Sequence, residues 1–337
     1  MQKKKVFVTQ KIPQKGIQLL RKHFLVKVYP KDQVMPKKEL IKEVKNCDAL
    51  LCLLTDKIDA DIINANPKLK IISNYAVGFD NIDVNAATKK GIPITNTPGV
   101  STDAVAEYTF ALILALTKRL VEADSFTKAG KYKGWKPMQL LGSELKGKTL
   151  GIVGLGRIGA GVAERAGKGM GTKVLYYDIR RNKDFEHEFH AKFVSLSELL
   201  KKSDFVSIHV PLLPSTKHLI SKKELALMKK TAYLVNTSRG PVVDERALVD
   251  ALQKKQIAGA GLDVYEFEPH LTKGLTKLNN VVLTPHTASA TIEARTAMSE
   301  LAAQNIIDAL QGRKAKFMVN PEVYNHKNRK NKKYNIK

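Results

Sequence analysis

The sequence predicts an α/β protein built on parallel sheets. Three observations carry that expectation. Short apolar runs alternate with helical patterns along most of the chain, one of these runs opens a G-x-G-x-x-G turn, and the later runs end in polar or conformationally special residues. At 337 residues the chain suits about two domains of ordinary size, and a hydrophobic content of 43% is enough to fill both cores.

Taken in order, residues 4–9 and the run ALLCLL at 49–54 read as short buried strands separated by a helical pattern. The segment KIISNYAVGFDNID (70–83) adds a strand that runs into a turn at Gly78. A long helix is expected over 102–119, opened by the cap-like Ser101 and preceded by the breaker pair Pro98 and Gly99, so NTPGV (96–100) is a candidate hinge. After a loop holding the single tryptophan, Trp135, and the turn LKGKT (145–149), the β/α alternation resumes.

That resumption carries the most informative motif. Gly154, Gly156 and Gly159 in GIVGLGRIG form G-x-G-x-x-G between an apolar, β-rich run at 149–153 and a helical pattern at 157–168, and a second strand at 173–177 ends in Asp178, 19 positions after Gly159. Such glycines let the backbone approach a pyrophosphate at a helix N-terminus, and the carboxylate is placed to accept hydrogen bonds from ribose hydroxyls. A Gly-rich turn with an incidental aspartate is the bland reading, and the complete strand–turn–helix–strand–Asp spacing argues against it. Further units follow in DFVSIHVP (204–211), TAYLVNTSRG (231–240), AGAGLDVYE (258–266) and NVVLTPHTA (280–288). Ligands of an open parallel sheet bind at the carboxyl ends of its strands, so Arg239, Asp263, Glu268 and His286 are expected to face one crevice. Singly, each could be a surface ion-pair residue, a loop carboxylate or a satisfied structural histidine. As a set at strand ends after a nucleotide-binding motif, they read as a site.

The formal charge of +25, from 57 Lys and Arg against 32 Asp and Glu, raises nucleic-acid binding as a function class. The lysines are spread along the chain, often beside acidic residues, and only 325–337 forms a dense basic block. No base-reading module accompanies it, so a solvated surface with a flexible tail is the expected reading. No apolar stretch approaches a membrane span, the N-terminal apolar run is too short for an export signal, and two cysteines give neither a disulfide framework nor a metal site. A cytoplasmic protein without a metal or membrane partner is expected.

The segments TLGIVGLGRIG, NTSRGPVVDERAL, AGAGLDVYEFEP and LTPHTASAT together resemble the D-isomer-specific 2-hydroxyacid dehydrogenases, over roughly residues 4–322. NYAVGFDNIDV (74–84) and GIPITNTPGVSTDAVAE (91–107) look most like the glyoxylate and hydroxypyruvate reductase branch, which is also similar to 2-ketogluconate reductases. The resemblance implies two Rossmann-like domains. Residues 1–100 and 288–325 would form a split, flavodoxin-like substrate domain, 101–287 an inserted NAD-binding domain, and 326–337 a basic tail. It implies a homodimer formed through helix 102–119 and the Trp135 loop. It further implies reduction of a small 2-oxo acid to the D-2-hydroxy acid with a nicotinamide cofactor. Arg239 would hold the substrate carboxylate with its planar fork, His286 would act as proton donor, and Glu268 would favour and orient the protonated imidazole. Backbone amides near Val77 and Gly78 would complete the carboxylate clamp, with Leu53 and Leu54 lining the small end of the pocket.

For the cofactor, the resemblance places Gly154, Leu155, Gly156, Arg157, Ile158 and Gly159 at the pyrophosphate, Asp178, Ile179 and Arg180 at the ribose, and Val210, Pro211 and Thr216 beside the adenine. Thr237, Ser238, Asp263, Thr287 and Ala288 would lie near the nicotinamide, with Thr102 reaching in from the hinge helix. NADH is expected over NADPH, because Asp178 would repel a 2′-phosphate, although Arg180 and Arg181 follow closely. Glu268 stands where the superfamily's formate dehydrogenases carry glutamine, and the chain has no room for the regulatory domain common in phosphoglycerate dehydrogenases. The alternative is a corepressor-like or nucleic-acid-associated protein that keeps the fold as a cofactor sensor.

Overall fold

A computed structural model describes residues 3–324, so the basic block at 325–337 lies outside the described residues. The chain forms two compact units, one ending at Ser101 and resuming at Ala290, the other spanning Thr102–Ser289.

The first unit is built on five parallel strands, β1 (Lys5–Val8), β2 (Leu25–Val28), β3 (Ala49–Leu53), β4 (Ile71–Tyr75) and β5 (Ile94–Thr95), in the order β2-β1-β3-β4-β5. This is the flavodoxin-like order of a doubly wound sheet. KVFV, ALLCL and IISNY read as near-continuous apolar runs because both faces of these strands are covered. Val6, Val8, Leu51 and Ile71 pack on one face against Met298, Ala302 and Ile306 of the helix Ile292–Leu310. Phe7, Leu50 and Ile72 point the other way, toward Leu40, Ile62 and Ile63. Edge strand β2 (LVKV) is only partly buried, which is why its hydrophobic signal is weak.

One contact fixes how closely the helices pack. A Cβ added at Gly16 would lie 2.2 Å from Ser299 Oγ and 2.3 Å from the Ser299 carbonyl oxygen. Gly16 N–H donates to Ser299 Oγ at 2.9 Å, and that hydroxyl donates to the Pro13 carbonyl at 2.7 Å. The helix Gln14–Arg21 therefore crosses Ile292–Leu310 backbone to backbone.

The second unit carries seven parallel strands, β6 (Thr149–Val153), β7 (Lys173–Tyr177), β8 (Lys192–Phe193), β9 (Phe205–Ile208), β10 (Tyr233–Asn236), β11 (Gly259–Leu262) and β12 (Val281–Leu283). Their order is β12-β11-β10-β9-β6-β7-β8. It is the doubly wound dinucleotide-binding order with one added strand, and the direction of winding reverses between β6 and β9. The small side chains of β11 (GAGL) admit the helix Thr102–Thr117: a Cβ at Gly261 would already meet Leu112 Cβ and Leu116 Cδ1 at 3.2 Å.

Two helices are shorter than the sequence pattern suggests. The helix expected over 102–119 ends at Thr117, because Arg119 turns into the left-handed region (φ 53°) and forks onto Glu122 at 2.7 and 2.8 Å, opening a separate helix Leu120–Lys128. The helix expected over 157–168 is regular only across Arg157–Glu164 and widens to a π turn at Arg165–Gly169, where glycines remove helix propensity. No helix among the described residues is long and apolar enough to cross a membrane. Both cysteines are buried free thiols, and desolvation pushes Cys47 up to about 12.

Gly16→Val should clash with the Ser299 backbone as well as with the Ser299 hydroxyl, so turning that side chain away would not relieve it. A loss of roughly 1–3 kcal/mol or more is expected for such overpacking, read as a lowered midpoint in denaturant unfolding of the first unit. An unchanged midpoint would show that the two helices can separate freely.

Candidate active site

The Gly-rich turn after β6 has the geometry that a dinucleotide requires. Gly154 sits at φ +99°, and a Cβ there would come within 2.9 Å of the His209 carbonyl carbon and Val210 N at the end of β9. A Cβ at Gly159 would strike the Gly154 oxygen at 2.1 Å, so the helix Arg157–Glu164 can start this close to the turn only with glycine there. At Gly156 nothing lies within 4 Å of a Cβ, which leaves open space beside a helix N-terminus that carries no side-chain cap. Tight turn, open approach and close helix packing are the three roles of the fingerprint glycines, so the residues present fit a pyrophosphate.

Asp178 closes the far side of this turn. Its Oδ2 accepts from Leu155 N–H at 2.7 Å and its Oδ1 from Arg180 N–H at 3.2 Å. A pocket of about 490 Å³ is lined by Leu155, Asp178, Arg180, Arg181, Lys183 and Asp184 among others, and the neighbouring Ile179 is 90% exposed. Thr216 braces the loop after β9 by donating to the Pro211 carbonyl at 2.6 Å and accepting from Leu213 N–H at 2.8 Å. His209, at the same strand end, bonds Ser207 Oγ at 2.8 Å, and desolvation pushes its imidazole down to about 3, so it stays neutral.

Arg239, Glu268 and His286 come together at the ends of β10, β11 and β12. His286 Nδ1 lies 3.0 Å from Glu268 Oε2, and Glu268 Oε1 accepts from Tyr265 N–H at 2.9 Å. Burial opposes ionisation of Glu268. The His286 hydrogen bond and charge, the Tyr265 amide and the Arg239 charge outweigh it and hold the carboxyl below its ordinary value. The stability this ionisation contributes is present above the ordinary carboxylate range and is lost as pH falls through the lowered value. Gly240 explains the neighbour of Arg239: a Cβ there would sit 1.9 Å from the Tyr265 carbonyl carbon, so only glycine lets the Arg239 turn press onto the loop that carries Glu268. Asn236 shapes the same turn, donating to the Arg239 carbonyl at 2.9 Å and accepting from Ser238 N–H and Oγ at 3.0 Å.

Asp263 is fully buried, and its carboxylate is committed within the protein. Oδ1 accepts from Thr284 Oγ1 at 2.7 Å and Thr287 N–H at 2.8 Å, and Oδ2 accepts from Ala288 N–H at 2.8 Å. These bonds hold His286 in the left-handed region at φ 56°, a conformation rare for a histidine. Thr237 and Thr287 are likewise tied to the helix Thr102–Thr117, through Thr109 Oγ1 at 3.0 Å and Tyr108 OH at 2.9 Å. Thr102 itself opens that helix.

Several participants escaped the sequence reading. The buried Glu245 accepts from Glu266 N–H at 2.7 Å and Thr272 N–H at 2.9 Å, so one carboxylate pins both shoulders of the loop bearing Glu268. Glu266 in turn meets His218 Nε2 at 2.6 Å. Glutamate next to a helix start reads as a capping signal, and only the fold reveals this second use. In the first unit, Leu53 ends β3 with Leu54 after it, and Val77 and Gly78 follow β4, again at carboxyl strand ends. Asn81 donates to the Leu53 carbonyl at 3.0 Å, Asn74 to the Gly78 carbonyl at 2.9 Å and Asn96 to the Val77 carbonyl at 2.7 Å. No group of three or more potential metal ligands occurs among the described residues.

Fold and site together define a nicotinamide-dinucleotide oxidoreductase with a histidine–carboxylate pair. Residues 110–288 match the family model of the D-isomer specific 2-hydroxyacid dehydrogenase NAD-binding domain. The chain is 51% identical over 325 residues to a glyoxylate reductase of Thermococcus litoralis, covering 95% of this chain and 98% of that one. A Thermus thermophilus protein of known crystal structure superposes with a TM-score of 0.88 at 41% identity, covering 94% and 99% of the two chains. An NADPH-dependent glyoxylate/hydroxypyruvate reductase from Sinorhizobium meliloti, crystallised with NADP and malonate, gives 0.83 at 30% identity, with 94% and 97% coverage. The chain belongs to the D-isomer-specific 2-hydroxyacid dehydrogenase family.

Asp263→Asn sets an amide donor against a backbone donor in a dry site. A cost of about 1–3 kcal/mol is expected, together with a tenfold or larger loss of turnover as the His286 loop relaxes, on the scale of about 1.4 kcal/mol per decade. Wild-type unfolding and turnover in this variant would show that the carboxylate does not hold the loop.

Proposed function

We propose that the chain reduces a small 2-oxo acid, glyoxylate or hydroxypyruvate, to the D-2-hydroxy acid with NADH. The observation that carries this reading is the His286–Glu268 pair at the strand edge of a dinucleotide-binding sheet, with the Arg239 charge acting on the same carboxylate. When bound, the nicotinamide supplies the hydride. Glu268 occupies His286 Nδ1, which leaves Nε2 to deliver a proton to the oxygen that gains charge. Arg239 offers a planar fork that can take the substrate carboxylate in two charge-assisted bonds, where lysine would offer a point charge. Leu53, Leu54, Val77 and Gly78 are assigned to substrate contact, and Thr102, Leu155, Gly156, Arg157, Ile158, Asp178 to Arg180, Val210, Pro211, Thr216, Thr237, Ser238, Thr287 and Ala288 to the cofactor. For Asp263 the buried carboxylate favours a positioning role, exerted through the loop that carries His286.

The names of the relatives support glyoxylate among the 2-oxo acids. A panel of glyoxylate, hydroxypyruvate, pyruvate and 2-ketogluconate, followed by absorbance of the reduced nicotinamide, tests the assignment. Highest kcat/KM on 2-ketogluconate would overturn it. A homodimer belongs to the same proposal, because Leu120, Trp135, Met138 and Leu141 are 61%, 81%, 77% and 56% exposed within one stretch of the second unit. So does a cytoplasmic setting, in keeping with two free buried thiols. The corepressor-like alternative gains nothing from the site or the relatives.

His286→Ala should lower kcat by about two or more orders of magnitude while leaving the affinity for NADH within about threefold, as expected for loss of a general acid. Turnover near wild type would remove His286 from the mechanism.

Cofactor choice follows from Asp178. Its carboxylate stands at the end of β7, where it would accept from ribose hydroxyls and repel a 2′-phosphate, so NADH should exceed NADPH in kcat/KM by about tenfold or more. Asp178→Ser should narrow or invert that ratio. A wild-type enzyme faster with NADPH would overturn this reading.

A further inference from the structure

Two arginines follow Asp178, yet the structure treats them differently. Arg181 lines the pocket beside Asp178 and is turned onto the helix Lys183–Phe189: its Nε donates to Glu186 Oε1 at 2.8 Å and its Nη2 to Glu186 Oε2 at 2.7 Å. Glu186 is itself held from behind, since Tyr176 OH donates to Oε1 at 2.7 Å and the Tyr176 ring is buried under the sheet. The Asn182 N–H donates back to Tyr176 OH at 2.8 Å, which fixes the turn between the two arginines and the helix. A two-point fork on a carboxylate anchored by a third group is far more directional than an ordinary surface pair. Arg180 has no such carboxylate: its backbone N–H binds Asp178, while its side chain stays exposed on the pocket rim.

We propose that Glu186 is a specificity-determining residue of the cofactor site, holding Arg181 away from the ribose side of the pocket and so withholding a second guanidinium, beside that of Arg180, from a 2′-phosphorylated adenosine. The inference deepens the proposed preference for NADH. Asp178 supplies repulsion, and Glu186 withholds the part of the compensating attraction that Arg181 would add. The charged groups on the pocket wall are Asp178, Arg180, Arg181, Lys183 and Asp184, so freeing Arg181 tips a nearly balanced set toward anion binding.

The test measures binding without turnover. Isothermal titration of the full-length protein with 2′,5′-ADP and with 5′-AMP would be compared for wild type, Glu186→Gln, the double variant Glu186→Gln/Arg181→Ala, and Tyr176→Phe, which removes the hydroxyl that anchors Glu186 and keeps its charge. Glu186→Gln should tighten 2′,5′-ADP by about tenfold and leave 5′-AMP unchanged. Adding Arg181→Ala should abolish that gain. No gain in Glu186→Gln overturns the proposal, and so does a gain that survives Arg181→Ala, because mere removal of a negative charge or Lys183 would then be responsible. An equal gain in Tyr176→Phe, which keeps the Glu186 charge, means that loosening Glu186 is enough to free Arg181 and supports the proposal. Tighter wild-type binding of 2′,5′-ADP than of 5′-AMP would instead refute the reading of Asp178, while the Glu186 comparison would still be decided by its own variants.

Discussion

A carboxylate with no exposure to water organises the candidate site. Burying an ionised aspartate is costly unless its lone pairs are filled, and Asp263 fills them with the Thr284 hydroxyl and the amides of Thr287 and Ala288. Those partners all belong to the loop after β12, so the same bonds that make the buried charge tolerable also fix that loop. His286, in the middle of it, is held in a left-handed backbone conformation that its own preferences disfavour. The imidazole then meets a second carboxylate, Glu268, whose loop is pinned at both shoulders by buried Glu245. The two loops of the proposed site are therefore each held by a buried carboxylate, Asp263 from the end of β11 and Glu245 from the start of the helix Glu245–Gln253. Precision on loops generally needs such support.

Close approach supplies the rest. The helix start at Arg157 needs glycine at Gly159, the turn at Gly154 needs glycine against Val210, and the Arg239 turn needs Gly240 against Tyr265. In each case a methyl group would overlap backbone atoms that cannot swing aside, and at Gly154 the Val210 side chain as well. The residue after Arg239 is thus as informative as the arginine itself.

These features differ in how far the sequence displays them. The G-x-G-x-x-G turn, β6, β7 and Asp178 were legible almost to the residue, because the spacing is local and TLGIV and KVLYY are mostly apolar after their first residue. Arg239, Glu268 and His286 were legible as strand-end residues, although their meeting depends on the order of β10, β11 and β12. The termination of the helix at Thr117 was not legible, since nothing in LTKRLVEAD forbids a continuous helix and the break rests on Arg119 forking onto Glu122. Edge strands β2, β5 and β8 also passed unnoticed, being two to four residues long and only partly apolar or too short to show a period. Glu245, Tyr108 and Thr109 were hidden for another reason. Each sits in a helix where its identity looks ordinary, and its use arises from a partner far along the chain.

The charge of +25 acquires a more limited meaning beside this geometry. Many of the ion pairs are exposed and separated by three to five residues along the chain, such as Lys202 with Glu198 and Lys254 with Asp250, and such pairs contribute little to stability. A positive excess spread over the surface raises the local concentration of any anion, and a 2-oxo acid and a dinucleotide both carry negative charge. It favours the phosphorylated and unphosphorylated cofactors alike, apart from the extra charge of one phosphate, and it is screened by salt over about 10 Å. Selection between ligands that differ by one group has to come from contacts within that distance. Net charge can bring an anion to the strand ends, but in the proposed reading which one stays depends on single pairings such as Asp178 with Leu155 N–H and Arg181 with Glu186.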